Sequence, residues 1–269
     1  MKRMDPELTN KVVLVTGSSG GIGDELAREF ARHGARVVAH FNQNSMRAKR
    51  LVSELGSSCL AIKANLSCEP EVDRLFSEVE SKWGPVEILI ANAGKWPSDP
   101  VPLHEMSLER WNNTLADNLT SVFLSLKGFL QGAKRNRLED PSAVLIGSTA
   151  GIIGEANHAD YAAAKSALIL GLCKSVKNEM CHFAPRGRIN VVCPGWTSTS
   201  TRPIISPSEN LSRVLQTIPL RKIANPGDIA TACVFLASTK LAGHITGEYL
   251  TIAGGMEGRM LYRTDETML

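Results

Sequence analysis

The chain alternates between short apolar runs and longer stretches with the apolar spacing of helices. Short runs rich in Val, Ile and Leu, bounded by turn-forming residues, predict buried strands. Seven such runs are present, at Lys11–Thr16, Arg36–Phe41, Ser58–Lys63, Val86–Ile90, Ala143–Ile146, Ile189–Cys193 and Gly247–Ile252. The pattern therefore predicts a protein in which buried strands recur along the whole chain.

The segments between these runs predict helices. After the first run, Leu26 and Phe30 mark the apolar face of a helix that we expect to end near Gly34. Further helices are predicted over residues 71–83, over 108–136 as one long or two abutting helices, and over 225–236. Because strands and helices alternate without a break to residue 252, we predict a single α/β domain.

Composition narrows the classes of function. Of the 269 residues 43% are apolar and 21% are charged, which is ordinary for a globular protein. A net charge of +3 from scattered Lys and Arg does not indicate nucleic-acid binding. No apolar run has the length of a membrane span, and the N-terminal residues lack the apolar core of a signal peptide. We therefore expect a cytoplasmic protein with no membrane or nucleic-acid partner.

Cysteine usage adds one expectation about the compartment. The six cysteines form no CxxC pair and lie in otherwise apolar segments. This pattern predicts small buried side chains in a reducing compartment, with no disulfide framework and no metal site.

A glycine-rich turn directly follows the first predicted strand. It reads Gly17-Ser18-Ser19-Gly20-Gly21-Ile22-Gly23 and leads into the first predicted helix. Such a turn lets backbone amides approach a pyrophosphate at the helix N-terminus. A tight turn without a ligand is the alternative, because a glycine motif alone is weak evidence. The strand before it and the helix after it favour dinucleotide binding.

A second candidate site lies between residues 148 and 165. Tyr161 and Lys165 are four residues apart, a spacing that places both side chains on one face of a helix. A free phenol has a pKa of about 10, and a neighbouring ammonium favours the phenolate, so the pair predicts a general acid/base. Ser148 follows the strand Ala143–Ile146, at the sheet edge where α/β active sites lie. Alone, Ser148 could equally be a turn residue or a helix cap.

The TGxxxGxG turn together with Tyr-x-x-x-Lys resembles the short-chain dehydrogenase/reductase family, over about residues 9–257. The resemblance implies an α/β Rossmann fold with a doubly wound, seven-stranded parallel sheet and helices on both faces. It implies one catalytic domain over residues 1–269, with a short extension at 1–9, a substrate lid at about 197–220 and a tail at 256–269. In general appearance the chain is most similar to the 3-oxoacyl-carrier-protein reductase-like members.

The resemblance also implies a catalytic set. Ser148 would donate a hydrogen bond to a substrate carbonyl, and Tyr161 would supply the proton. Lys165 would lower the pKa of the phenol and bind the nicotinamide ribose. Asn118 would hold a water in the proton relay, although a buried Asn within a helix can also satisfy backbone groups at a kink.

The cofactor contacts that the resemblance implies follow the carboxyl ends of the predicted strands. They are Gly17, Ser19, Gly21, Ile22, Gly23, Asn42, Asn65, Leu66, Asn92, Ala93, Gly94, Tyr161, Lys165, Pro194, Gly195, Thr197 and Thr199. The chain departs from the family pattern at Asn65, where an Asp is common, and at Ala91, where the family's Asn-Asn-Ala-Gly turn has Asn. No metal is expected.

The choice of cofactor rests on the end of the second strand. Relatives that prefer NAD place Asp or Glu there to bind the ribose 2′-hydroxyl. Here Phe41 occupies that position, and Asn42, Ser45 and Arg47 can donate to a 2′-phosphate, although Ser45 can also cap the next helix. We therefore predict a preference for NADP(H), with NAD(H) possible. The family's usual basic residue in the glycine turn is replaced by Gly20.

The predicted substrate is a small carbonyl or alcohol compound of unknown identity. Trp96, His158 and Trp196 flank the catalytic motifs and either line the pocket or merely pack. Lys95 and Arg202 either attract an anionic substrate or are solvated.

Two other functions stay open. One is a physiological alcohol dehydrogenase that uses NAD, and the other is a dinucleotide-binding regulator without turnover. A homo-oligomer, tetramer or dimer, is the habit of the family.

Overall fold

The computed structural model describes residues 5–199 and 211–257, without the side chains of residues 211–213. Seven strands form one parallel sheet: β1 Val12–Val15, β2 Arg36–Phe41, β3 Cys59–Lys63, β4 Ile88–Ala91, β5 Ser142–Ile146, β6 Arg188–Pro194 and β7 Tyr249–Ile252. The helices are α1 Gly21–Arg32, α2 Ser45–Leu55, α3 Glu69–Trp83, α4 Leu108–Leu115, α5 Ser121–Arg135, α6 Ala150–Ile153, α7 Ala159–Ser166, α8 Cys173–Met180, α9 Leu211–Gln216, α10 Pro226–Ala237 and α11 Thr239–Ala242. Short 3₁₀ turns lie at Gly56–Ser58 and Leu103–Glu105.

The order of the strands places a crevice at the centre of the sheet. The order is β3-β2-β1-β4-β5-β6-β7, so the chain reverses its direction of travel between β1 and β4. Val13 of β1 pairs with Val37 on one side and with Ile88 on the other. A reversal of this kind opens a crevice at the carboxyl ends of the strands. The predicted doubly wound, seven-stranded parallel sheet is confirmed.

Both faces of the sheet are covered, which explains why the central strands β1 and β4 are apolar throughout. Alternate residues of β1 belong to different cores, because successive strand side chains point to opposite faces. Leu14 packs in one core with Phe76 of α3 and Phe129 of α5. Val13 packs in the other core with Phe30 of α1 and Ile229 of α10.

The predicted helix over residues 108–136 is interrupted by an extra residue. α4 passes through a π-helical turn, Ala116–Thr120, directly into α5. A second π-helical turn, Ala167–Leu172, joins α7 to α8. Such turns are frequent at functional sites because they displace the residues they contain from the regular helical pattern.

The prediction about the cysteines is wrong at two positions. Cys59, Cys173, Cys193 and Cys233 are buried, but Cys68 is partly exposed and Cys181 is exposed. Cys181 is the cap residue that follows α8, and its thiol donates to the carbonyl of Asn178 at 3.0 Å. The amphipathic pattern of α8 continues into the cap residue without burying it.

Several predictions fall on residues outside the described ranges. Arg202, the central part of the lid at 200–210, the tail from 258 and the first four residues lie there. Within residues 5–199 and 211–257, no helix is long and apolar enough to cross a membrane. Over the same ranges, no group of His, Cys, Asp or Glu side chains is arranged to hold a metal ion.

Candidate active site

One cavity of about 700 Å³ opens at the carboxyl ends of the strands. It is lined by the four predicted catalytic residues and by all the predicted cofactor contacts from Gly17 to Thr199, but not by Ser45 or Arg47, the other two candidate donors to a 2′-phosphate. These residues are spread over more than 180 positions of the chain, and the topology of the sheet brings them together. Sequence reasoning missed Glu155 and Met256, which also line the cavity.

The glycine turn forms the floor of this cavity. Gly17 has a φ of +69°, a conformation that glycine adopts without strain. A Cβ at Gly23 would lie 2.2 Å from the Gly17 carbonyl oxygen, so only glycine lets α1 begin this close to the turn. The cap residue of α1, Gly20, has no side chain that could occupy the amides of the first helical turn, and Gly21, Ile22 and Gly23 line the cavity. Backbone amides at a helix N-terminus suit a phosphate, so the turn fits a dinucleotide.

His40 connects the glycine turn to the end of the neighbouring strand by hydrogen bonds, a role that the sequence analysis did not predict. Its Nδ1 accepts a hydrogen bond from the Gly17 amide at 3.0 Å, and its Nε2 donates to the Ala64 carbonyl at 2.9 Å. Burial lowers the pKa of His40 to about 4, although the bond to Ala64 opposes this, so the ring is neutral at pH 7. The only signal in the sequence was a polar residue near the end of a buried strand.

The turn after β4 braces the same floor. The Asn92 side chain donates to the Thr16 carbonyl at 2.9 Å, and the Thr16 hydroxyl accepts from the amides of Asn92 and Ala93, each at 2.9 Å. A Cβ at Gly94 would lie 2.7 Å from Asn118 Oδ1 and 3.3 Å from Lys165 Nζ. Glycine at position 94 therefore lets the amide of Asn118 and the ammonium of Lys165 approach this turn.

Tyr161 and Lys165 lie on α7 and share one face, as their spacing predicts. Lys165 Nζ lies 5.6 Å from the centroid of the Tyr161 ring and donates to the Ile146 carbonyl at 2.9 Å. Only 3% of Lys165 is exposed. Burial lowers the pKa of Lys165 to about 8, and the nearby Cys193 acts in the opposite direction. The side chain therefore remains a cation at pH 7 but is close to releasing its proton.

Ser148 sits just after β5, and both interpretations of it describe the structure. Its Oγ accepts a hydrogen bond from the Ala150 amide at 3.2 Å at the start of α6, so it does act as a turn residue. It also lines the cavity beside Tyr161 and Lys165. Because a lone pair of Oγ takes the amide, the hydroxyl proton can be donated elsewhere.

Asn118 lies within the first π-helical turn and is fully buried. Its Nδ2 donates to the Lys95 carbonyl at 2.9 Å and the Thr114 carbonyl at 3.1 Å, and its Oδ1 accepts from the Lys95 amide at 3.0 Å. The structural interpretation, an amide satisfying backbone groups at a helix irregularity, is what the geometry shows. The relay water at Asn118 stays a prediction. Both hydrogens of Nδ2 and one lone pair of Oδ1 are already used, so the side chain could only accept a hydrogen bond from such a water on the second lone pair of Oδ1.

Two tryptophans form the aromatic part of the cavity wall. Trp96 and Trp196 line the cavity, whereas His158 lies behind Trp96. The Trp96 and His158 rings stack at 4.3 Å, and Trp96 meets Tyr161 edge-on at 4.8 Å. His158 is held by the carbonyls of Ala156 and Pro97, at 3.2 and 3.1 Å from its two nitrogens. Trp96 is thereby fixed against the predicted acid/base.

Some of the residues predicted to bind a 2′-phosphate after β2 lie close to the cavity. Asn42 lines the cavity, and Arg47 reaches the glycine turn, with Nη1 3.5 Å from the Ser19 carbonyl. The cap of α2 is Asn44, whose Oδ1 accepts from the Arg47 amide at 3.2 Å, so the suggestion that Ser45 caps this helix is wrong. Because α2 begins at Ser45, the cap position falls on the residue before it.

The adenine end of the site departs from expectation in one detail. Asn65 lines the cavity, but its Oδ1 accepts from the Ser67 amide at 3.1 Å. The carbonyl oxygen has a second lone pair for an adenine amine. Thr197 and Thr199 also line the cavity, and Thr199 lies against the glycine turn, since a Cβ at Gly21 would lie 2.2 Å from Thr199 Cβ.

Comparisons with known proteins show which chains this one is similar to. A family model described as enoyl-(acyl carrier protein) reductase matches residues 17–257. The 3-oxoacyl-[acyl-carrier-protein] reductase of Synechocystis sp. is 35% identical over 255 residues, covering 93% of this chain and 98% of the relative. The reductase of the same description from Vibrio cholerae is 34% identical over 250 residues, covering 93% and 98%.

A solved structure is similar over the same length. It is a double phenylalanine-to-tyrosine mutant of a short-chain dehydrogenase/reductase from Serratia marcescens, with 29% sequence identity and a TM-score of 0.84. The match covers 93% of this chain and 98% of that one.

Proposed function

Since the chain belongs to the short-chain dehydrogenase/reductase family, we propose that it is an NADP(H)-dependent oxidoreductase that reduces a ketone with Tyr161 as general acid. The observation that carries the proposal is the convergence of Ser148, Tyr161, Lys165 and Asn118 on one cavity with the glycine turn. The whole of residues 1–269 acts as one catalytic domain in this proposal, with the lid at about 197–220 over the substrate.

The site residues have separate roles in cofactor binding, charge stabilisation and proton transfer. When bound, NADP(H) supplies or takes the hydride, held by the glycine turn and by the residues named above. Ser148, whose Oγ already accepts from the Ala150 amide, donates its proton to the substrate oxygen and stabilises the developing negative charge. Tyr161 delivers the proton to that oxygen.

Lys165 supports the phenol. Its ammonium has three N–H donors, and one of them makes a hydrogen bond to the Ile146 carbonyl at 2.9 Å. The other two can donate to groups in the cavity, the nicotinamide ribose among them. Because burial lowers its pKa to about 8, Lys165 can pass a proton on near neutral pH and regain it through a water at Asn118.

A carbonyl substrate is favoured over a carbon–carbon double bond. The family description names an enoyl reductase, whereas the two curated relatives compared above are named 3-oxoacyl reductases. A serine hydroxyl beside the acid Tyr161 suits charge that develops on a carbonyl oxygen. We therefore place this chain among carbonyl reductases, and an enoyl thioester serves as the negative control in the assay.

Further parts of the proposal concern the cofactor, location and assembly. Residues 41–47 contain no carboxylate, which favours NADP(H) over NAD(H). All six cysteines are free, in keeping with the reducing cytoplasm. A homo-oligomer, dimer or tetramer, is supported by exposed apolar side chains such as Phe123 and Leu170, 46% and 63% exposed, and light scattering after gel filtration tests it.

The deciding experiment compares wild type with Tyr161→Phe. We expect both to bind NADPH with similar affinity, and we expect the variant to lose about 10²- to 10⁴-fold in kcat on a panel of ketones and 3-oxoacyl thioesters. Phe41→Asp, in the same assay, should shift preference towards NADH. Tighter NADH binding by wild type would favour the NAD-dependent alcohol dehydrogenase, and NADPH binding without any turnover would favour the regulator.

A further inference from the structure

An ion pair between a fully buried carboxylate and a partly buried guanidinium joins the helix that carries Tyr161 to the helix that leads to Asn118. Asp160, the second residue of α7, is 0% exposed, and its Oδ2 accepts from Arg110 Nε of α4 at 3.0 Å. The same oxygen accepts from the Thr114 hydroxyl at 2.7 Å. Arg110 and Asp160 are fifty positions apart, and neither belongs to the site residues named so far.

The pair connects to the site at both ends. Asp160 precedes Tyr161 directly, so its carboxylate anchors the first turn of α7. Thr114, which holds the carboxylate through its hydroxyl, accepts from Asn118 Nδ2 through its carbonyl at 3.1 Å. Arg110 Nη1 donates to the Asp99 carbonyl at 2.6 Å, three residues after Trp96 in the chain. One network thus includes contacts that support both Tyr161 and Asn118.

Stability alone does not explain this arrangement. Within the described residues, Asp160 Oδ1 and Arg110 Nη2 are buried and have no hydrogen-bond partner. A buried pair with unsatisfied atoms contributes little to stability compared with apolar side chains of the same volume. Burial would raise the pKa of the Asp160 carboxyl, but Thr114, Arg110 and the Tyr161 amide bring that pKa below its usual value, so the group is ionised.

We propose that Arg110 and Asp160 are positioning residues that set the distance between α7, with Tyr161 and Lys165, and the π-helical turn with Asn118. The inference rests on the proposed function. Its physical basis is that a displacement of about 1 Å in an acid/base group lowers the rate about 100-fold while leaving cofactor binding intact.

The test uses three variants: Arg110→Gln, Asp160→Asn and the double variant. Each single change leaves one charge without its counter-ion, the fully buried Asp160 carboxylate or the partly buried Arg110 guanidinium, so we expect kcat to fall about 10- to 100-fold with little change in KM for NADPH. The double variant removes both charges and should regain kcat to within about fivefold of wild type. Arg186→Gln, which removes an exposed Arg from its pair with Glu139, is the matched control and should leave kcat unchanged.

A second readout does not depend on turnover. Hydrogen–deuterium exchange of residues 108–120 and 159–166 should be faster in both single variants and return to the wild-type rate in the double variant. Losses of kcat that add up in the double variant, or lower melting temperatures with unchanged kcat, would overturn the proposal. If wild type reduces no carbonyl, the proposed function fails, and unchanged exchange in the single variants would then overturn the coupling separately.

Discussion

Two buried cations lie at opposite ends of the same sheet and differ in the hydrogen-bond acceptors that surround them. Lys165 lies at the carboxyl ends of the strands, and Arg188 begins β6 at the amino ends; they are 3% and 2% exposed. Burial is the largest effect on both and lowers the pKa of each, that of Lys165 to about 8. The two groups therefore have similar burial and charge but different surroundings.

The difference lies in how many acceptors each cation finds within the protein. Arg188 donates to the carbonyls of Leu236, Ala237 and Ala242 at 2.6, 2.8 and 3.2 Å, and it lies 3.4 Å from the Thr239 hydroxyl. Two of these carbonyls end α10, so Arg188 caps that helix. Lys165, in the described part of the chain, donates to one carbonyl and faces the cavity. Arg188 also keeps one buried donor, Nε, that has no partner among the described residues. A buried charge with an unused donor therefore does not by itself mark an active site, and Lys165 differs because it borders the cavity.

The strongest test of this contrast is Lys165→Met. We expect kcat to fall about 10²- to 10⁴-fold, since the phenol loses its neighbouring cation. We also expect the cofactor-free protein to become more stable at pH 7, because no buried ammonium remains. The native pKa of about 8 lies below the value of 10.5 in the unfolded chain, so wild type loses stability as pH falls from about 10.5 to about 8.

Urea unfolding of wild type and Lys165→Met at pH 7 and pH 10.5 measures this gain. The stabilising effect of the substitution should be larger at pH 7. An equal or destabilising effect at both values would mean that Lys165, like Arg188, serves the fold.

Arg188→Met should show the opposite profile. Removing the guanidinium leaves the carbonyls at the end of α10 without donors, so we expect unfolding free energy to fall by about 3 kcal/mol. Activity per folded molecule should stay within about twofold of wild type, because Arg188 is remote from the cavity. Unfolding curves and active-site titration measure the two quantities. A variant of normal stability with a large loss of kcat would contradict the contrast.

His40 provides the intermediate case, since it lies on the cavity but uses both ring nitrogens internally. Its pKa of about 4 lies below the unfolded value of 6.5, so the neutral ring stabilises the fold above about pH 6.5. This contribution, about 3 kcal/mol at most, is lost as pH falls from about 6.5 to 4. Unfolding free energy measured across this range should slope less in His40→Asn. An identical slope in the variant would exclude His40 as the cause.

The fold and the composition of the site could be predicted largely because their signals are local. Buried strands are apolar runs, and the glycine turn and the Tyr161–Lys165 spacing each occupy a few consecutive residues. The features that could not be predicted depend on tertiary contacts. His40 sits in an apolar run and gains its role only from Gly17 and Ala64, and Arg110 meets Asp160 only after the helices pack.

The predictions that failed have physical reasons of the same kind. Cys181 continues an apolar pattern, but it is the cap residue after α8 and its side chain is exposed. Asn44 and Ser45 are both good helix caps, and the geometry of the turn after β2 selects Asn44.

The π-helical turn at Ala116–Thr120 also defines how insertions and deletions would act here. Each residue of a helix advances the next side chain by about 100° around the axis. Deleting one residue from this turn would restore a regular helix of normal hydrogen bonds, and it would also rotate Asn118 away from Lys95. The helix would become more regular, but the side chains that face the site would be rotated out of position. The number of residues in this turn is therefore constrained more tightly than the identity of the side chains on its solvent-exposed face.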